Sequence, residues 1–234
     1  MMVATHTVFS VAITSLAMNT ANPVLLGLAA IAAQLPDVDT SKSTPGRLLL
    51  PLSRFLEQRF PHRAITHSFL ATVVFAVLMI PVVFWGMECW GVLVLGYFCG
   101  WFSDVFTKSG VCAFFPSTAR LVIPGNPRLR LSTGSRAELF VLGVLICVAI
   151  ASINISSNGG ILKAFNQTLG FASGAVEIAA QEQTQYLLMA EISGRNAITQ
   201  QAVKGEFEVV QPLTQTDLLV KDAQGRLYRA GETQ

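Results

Sequence analysis

Charge is scarce in this chain. Lys, Arg, Asp and Glu make up 13% of its 234 residues, apolar residues make up 52%, and the mean hydropathy is +0.53. Soluble domains carry about 25% charged residues. So large a deficit excludes an ordinary soluble globule and points to membrane spans. Histidine is scarcer still, with only His6, His62 and His67. The four cysteines, Cys89, Cys99, Cys112 and Cys147, show no C-x-x-C spacing. That excludes a disulfide framework and a thiolate metal site, and leaves buried thiols. There is no Gly-rich phosphate loop and no Gly-x-Ser-x-Gly elbow, so nucleotide hydrolysis and serine hydrolysis lack their machinery. A net charge of +2 gives no reason to expect a nucleic-acid partner. The N-terminus lacks the basic flank and cleavage site of a removable leader, and the first apolar segment is expected to belong to the mature protein.

What is present is a series of apolar segments. Residues 2–18 and 24–35 are short for spans, and are expected to form a tightly packed helical hairpin around the turn at Asn19–Pro23. Residues 69–87 read as a span kinked at Pro81. Residues 89–103 come after a turn at Glu88, with Trp90, Tyr97 and Trp101 suited to interfacial belts. Residues 139–155 make the last span.

Between these segments lie two basic loops. Residues 40–63 carry Lys42, Arg47, Arg54, Arg59 and Arg63 against Glu57, interleaved with Leu48, Leu49, Leu50, Leu52, Phe55 and Leu56. This is the pattern of a short amphipathic helix on a membrane surface. Residues 105–136 carry Lys108, Arg120, Arg128, Arg130 and Arg136, with prolines and glycines that exclude a long helix. The positive-inside rule makes both loops cytoplasmic. Five segments then put the N-terminus inside and the C-terminal region outside.

Residues 157–183 read as an amphipathic connector, with a helix from about Ile161 to Gln183 too polar to span. Residues 184–234 alternate in short runs, with Asp222-Ala-Gln-Gly225 as a hairpin turn. The expected fold is therefore mainly α, a multi-pass transmembrane helical bundle over residues 1–156, with a small β-rich extracytoplasmic module at 184–234. That module has no His, no Cys and no nucleophile constellation, so a structural or interaction role, with a protein partner, is expected of it.

The segment ends carry the chemistry. His6 lies at the cytoplasmic start of the first segment and Asp37 and Asp39 at the end of the second. His62 and His67 start the third, Asp104 ends the fourth and Glu138 begins the fifth. Helix axes in a compact bundle are about 10 Å apart, so these side chains share one face. Carboxylates and imidazoles together are a ligand set that Zn²⁺ or Mn²⁺ accepts. His67 is expected in the first helical turn after Thr66. Polar residues also end apolar helices without any metal. Ser135 and Glu138, in particular, form a capping box that accounts for both. A divalent ion at such a site supports hydrolysis by activating water near neutral pH, and Arg63 and the 120–136 loop are placed to hold an anionic group or lipid headgroups.

At these residues the chain resembles the YdjM-like family of bacterial inner-membrane proteins, regarded as metal-dependent hydrolases. The likeness runs from about Thr5 to Leu145. It rests on Thr5-His6, Leu35-Pro36-Asp37-Val38-Asp39, His62-Arg63-Ala64-Ile65-Thr66-His67-Ser68, the Gly96–Gly110 stretch and Thr133-Gly134-Ser135 with Glu138. A distant likeness to zinc-dependent phospholipases C implies a phosphoester substrate. The resemblance implies His6, Asp37, Asp39, His67 and Asp104 as ligands, with Asp37 and His67 catalytic, and His62 and Glu138 as outer partners or further ligands. The chain departs from the family at one position. The family's fourth segment reads Ser-His-x-x-x-Asp, and here Gly100 stands where that histidine would be. Ser103 does not replace it, because on a helix it points about 100° from Asp104.

Three readings are consistent with this pattern: a membrane-bound hydrolase at the cytoplasmic face, a scaffold that has lost catalysis at Gly100, and a transporter. The last fits least, because its ionisable residues would lie mid-span.

Overall fold

The computed structural model describes residues 1–161, 165, 176, 179–180, 187–214 and 216–231. The chain divides into two compact units, Met1–Ile161 and Leu162–Gln234. The first is helical and the second contains an antiparallel sheet.

In the helical unit, α1 (Val3–Ala17) and α2 (Pro23–Ala32) form the expected hairpin. Asn22 caps α2, its side chain accepting from the Val24 amide at 2.9 Å, and Pro23 opens the first turn. A 3-10 turn, Leu35–Asp39, carries both aspartates. Two short helices, α3 (Thr44–Leu48) and α4 (Leu50–Arg59), come next. Leu48, Leu49, Leu50, Leu52 and Phe55 are exposed on them, as a membrane-surface element requires.

The third apolar segment differs from its expected form. α5 (Phe69–Leu78) ends before Pro81, and a 3-10 turn, Ile80–Trp85, replaces the kinked span. Pro81 has no amide proton, and its ring disfavours α geometry in the residue before it, so the helix stops there. His67 is also outside the helix. Ser68 is the N-cap, accepting from the Ala71 amide at 3.1 Å, and His67 precedes it.

α6 (Met87–Ser103) and α7 (Arg136–Ser157) are the long helices. Two stretches among the described residues are long and apolar enough to cross a membrane, Met87–Phe106 and Arg136–Ser157. The other segments expected to span form shorter helices. α7 exposes Leu139, Phe140, Val144, Ile146, Val148 and Ile150, which suits lipid and not water.

α1 packs on α7, α6 and α2, and α2 packs on α6. The α2–α6 crossing is unusually close. A Cβ at Gly96 would lie 2.5 Å from the Ala29 carbonyl oxygen, and one at Gly100 would lie 2.2 Å from that of Ala33. Small residues four apart on both helices let the backbones touch. Behind this contact, Tyr97, Trp101, Val105, Val111 and Ala113 form a buried core.

In the second unit, β1 (Met189–Arg195), β2 (Ala202–Pro212), β3 (Asp217–Lys221) and β4 (Leu227–Gly231) pair antiparallel in sequence order. Asp222–Gly225 makes the β3–β4 turn, with Gly225 at φ 83°. Leu218 and Val220 are buried, with Ile192, Phe207, Val209 and Tyr228 packed on them. The amphipathic helix expected over Ile161–Gln183 lies for the most part outside the described residues.

Candidate metal centre

Three of the expected residues converge. One ligand atom each from Asp37, His67 and Asp104 lies within 4.8 Å of the other two. Asp37 comes from the Leu35–Asp39 turn and Asp104 from the end of α6. His67 comes from the residue before the Ser68 cap, so it is fixed by the helix start without belonging to it.

His67 is fully buried, and its Nε2 sits 3.4 Å from Asp37 Oδ1 and 3.4 Å from Asp104 Oδ2. At that length neither approach is a well-formed hydrogen bond. His67 Nε2, Asp104 Oδ2 and His6 Nε2 are all buried without a hydrogen-bond partner. His6 Nε2 lies 3.8 Å from Asp104 Oδ1. Native interiors rarely leave such groups unsatisfied. The two His67 Nε2 distances of 3.4 Å match the edge of a tetrahedral site with ligand bonds of about 2.1 Å, and the Asp37 and Asp104 oxygens lie within 4.8 Å of each other. By these measures the donor set fits a divalent ion.

The second layer is built around the rings. His6 Nδ1 is 2.7 Å from Ser103 Oγ, whose proton goes to the Gly100 carbonyl at 2.8 Å. The hydroxyl therefore accepts from His6 Nδ1, which leaves the Nε2 lone pair of the neutral ring facing Asp104. Ser103 positions a histidine from α1.

Asp39 lies on the opposite side of His67 from the cluster. Its Oδ2 is 3.8 Å from His67 Nδ1, and Thr66 Oγ1 is 3.0 Å from the same nitrogen. Asp39 also bonds His62 Nδ1 at 2.9 Å and accepts from the Arg63 amide at 2.7 Å. Asp39 and His62 therefore form an outer pair behind the ring. Glu138 is engaged elsewhere. Its carboxylate accepts from the Met2 amide at 2.7 Å, the Gly134 amide at 2.6 Å and Thr5 Oγ1 at 3.3 Å. Ser135 caps α7 as expected, accepting from the Glu138 amide at 3.2 Å. The Glu138 side chain then reaches one residue beyond the cap and across to α1.

Two cations reach Asp104. The Met1 amino group is 2.5 Å from Oδ1, and Arg63 Nη2 is 3.1 Å from the same oxygen. The sequence presents Arg63 as part of a basic loop suited to an anionic group or lipid headgroups; its contact with Asp104, 41 residues away, depends on the fold.

Electrostatics reflect this packing. Burial works against a charged His67, but the Asp104, Asp37 and Asp39 carboxylates outweigh it and push the ring up to about 9. Burial would raise Asp37 and Asp39, yet His67 beside Asp37, and His62 and His67 beside Asp39, hold both below the usual carboxylate range. Around His67 the carboxylates thus favour a positive charge on the ring despite its burial.

Beside the centre, Pro61, His62, Arg63, Ser109, Arg120 and Thr133 line a cleft of about 500 Å³.

Residues 1–180 match the family described as YdjM inner membrane protein. The Escherichia coli inner membrane protein YdjM is 32% identical over 166 residues, covering 62% of this chain and 76% of its own. The Shigella flexneri protein of the same name matches equally. The Bacillus subtilis protein YvsG, described as uncharacterized, is 31% identical over 128 residues, covering 53% of this chain and 75% of its own. No solved structure matches the chain.

Proposed function

Because the chain belongs to the YdjM inner membrane protein family, we propose that it is an inner-membrane, metal-dependent hydrolase of a phosphoester, working at the cytoplasmic face. The observation that carries this reading is the convergence of Asp37, His67 and Asp104, in which His67 Nε2 and Asp104 Oδ2 are buried and without a hydrogen-bond partner. In this reading those three residues hold Zn²⁺ or Mn²⁺, and His6 supplies a fourth donor. When bound, such an ion supplies Lewis-acid activation of water near neutral pH.

The chain's own residues do the rest. Ser103 fixes the His6 tautomer. Thr66 and Asp39 hold the back of the His67 ring, which keeps Nε2 on the cluster. Arg63 ties Asp104 to Thr107 and holds that carboxylate in place. Burial of His67 and Asp104 keeps bulk water off the donors. In the topology that accompanies this reading, five segments cross or enter the membrane, both basic loops are cytoplasmic, and the C-terminal module is outside.

A specific observation favours a second reading, a scaffold of the same fold without catalysis. Gly100 stands where the family's histidine would be, and a side chain there would meet the Ala33 backbone. Hydrolysis of a chromogenic phosphomonoester by detergent-purified protein separates the two. The hydrolase reading expects turnover that a chelator removes, zinc or manganese restores, and Asp104→Asn abolishes. No turnover with metal bound favours the scaffold, and turnover indifferent to the chelator overturns metal dependence.

A further inference from the structure

The cleft beside the metal centre has its own chemistry. Two arginines and a histidine line it with Ser109 and Thr133, and none of the six lining residues is a carboxylate. Arg63 is paired with Asp104 and His62 with Asp39, so the positive charge left for an anion is that of Arg120.

Arg63 is the wall between the cleft and the centre. It lines the cleft while its guanidinium bonds Asp104 Oδ1 at 3.1 Å and Thr107 Oγ1 at 3.2 Å. Its Nε is buried and unpartnered. Its backbone is left-handed, φ 63°, a conformation that residues other than glycine rarely adopt. Two bonds hold it there. Its amide donates to Asp39 Oδ2 at 2.7 Å, and its carbonyl accepts from the Cys112 amide at 3.1 Å. The fold thus fixes one arginine at the mouth of the centre. Arg120 faces it from the other loop, steadied by a bond from Nη1 to the Ser109 carbonyl at 2.8 Å.

A second basic cleft, lined by Lys108, Pro127, Arg128 and Arg130, is a weaker candidate. There Arg130 bonds the Pro124 and Gly125 carbonyls, at 3.0 and 2.7 Å, and the link to Asp104 that Arg63 provides has no counterpart among the described contacts.

We propose that the Arg63–Arg120 cleft is a phosphate-binding subsite that seats the phosphate group of the substrate beside the metal centre, with Arg120 as its main free donor. Guanidinium groups suit phosphate because their planar fork gives paired, charge-assisted bonds. This rests on the hydrolase reading, but it can fail separately. The phosphate could belong to a soluble ester or to a lipid headgroup, and the chemistry of the subsite is the same for both.

The test uses the full chain in nanodiscs of phosphatidylcholine, with inorganic phosphate as the probe and titration calorimetry as the readout. Arg120→Gln and Thr133→Val are compared with the parent, and zinc content is measured on each sample. The expected result is phosphate binding that Arg120→Gln weakens about tenfold or more while zinc content is unchanged. Thr133→Val, which removes only a neutral hydroxyl, is expected to weaken binding less. Equal phosphate affinity in the parent and Arg120→Gln, with zinc bound in both, overturns the subsite and leaves the metal reading standing. Arg120-dependent phosphate binding without any zinc overturns the metal reading and supports the subsite. Repeating the titration in discs containing phosphatidic acid identifies the source. Loss of the phosphate signal there, in the parent alone, points to a headgroup, and an unchanged signal points to a soluble ester.

Discussion

His67 is the residue on which the centre turns. Its ring is pushed from 6.5 up to about 9, so the metal-free protein carries an imidazolium among three carboxylates at neutral pH. That pairing contributes stability that is fully present below pH 6.5 and is lost as pH rises through about 9. A metal needs the neutral ring, so zinc must displace the proton. Zinc affinity of the purified protein is therefore expected to rise with pH across that window. Titrations at about pH 7.5 in two buffers of different ionisation heat check the proton. The measured heats should differ; equal heats would show His67 already neutral. The candidate ligands were legible in the sequence as Leu-Pro-Asp-Val-Asp and the His62–His67 stretch, because both end apolar runs in a chain with little charge. Their division of labour was not. Asp37 and Asp39 are two residues apart, yet only the turn Leu35–Asp39 decides that one faces the cluster and the other backs His67. Glu138 is legible as part of the α7 cap, and its bond to the Gly134 amide is local, but its bonds to the Met2 amide and Thr5 Oγ1 depend on tertiary packing.

At the scale of elements, the close crossing of α2 and α6 sets the position of Asp104. Gly96 and Gly100 meet Ala29 and Ala33 backbone to backbone, and Asp104 ends the same helix one turn on from Gly100. Gly100→Ala is expected to force the helices apart, at a cost of about 1–3 kcal/mol, and to weaken zinc binding through displacement of Asp104. Thermal unfolding in detergent beside a zinc titration checks this. Unchanged stability and affinity would mean that α2 yields freely. The sequence pattern does not reveal this contact. Gly100 reads there as a lost ligand, and only the partner helix shows what its missing side chain makes room for. Pro81 was legible as a disruption, but whether proline kinks a helix or ends it depends on the geometry of the next residues. Here they form a 3-10 turn.

For the whole molecule, the division into a helical unit and a sheet unit was legible from the change of hydrophobic period, from helical segments to short alternating runs. Spanning length was harder to read, because apolar runs do not reveal where helices break. The expected topology has a direct consequence. A periplasm-active phosphatase fused after Gln234 should be active and a cytoplasm-dependent fluorescent reporter at the same place dark. The reverse would place the basic loops outside and move the centre to the other face.

The central claim is that Asp37, His67 and Asp104 hold a metal. Its most direct test is the metal content of the full chain, purified in detergent, measured by mass spectrometry beside an Asp37→Ala, His67→Ala double variant of equal yield and helicity. The account predicts about one zinc or manganese ion per chain in the parent, and its loss in the variant. No bound metal in the parent, or the same content in both, would contradict it.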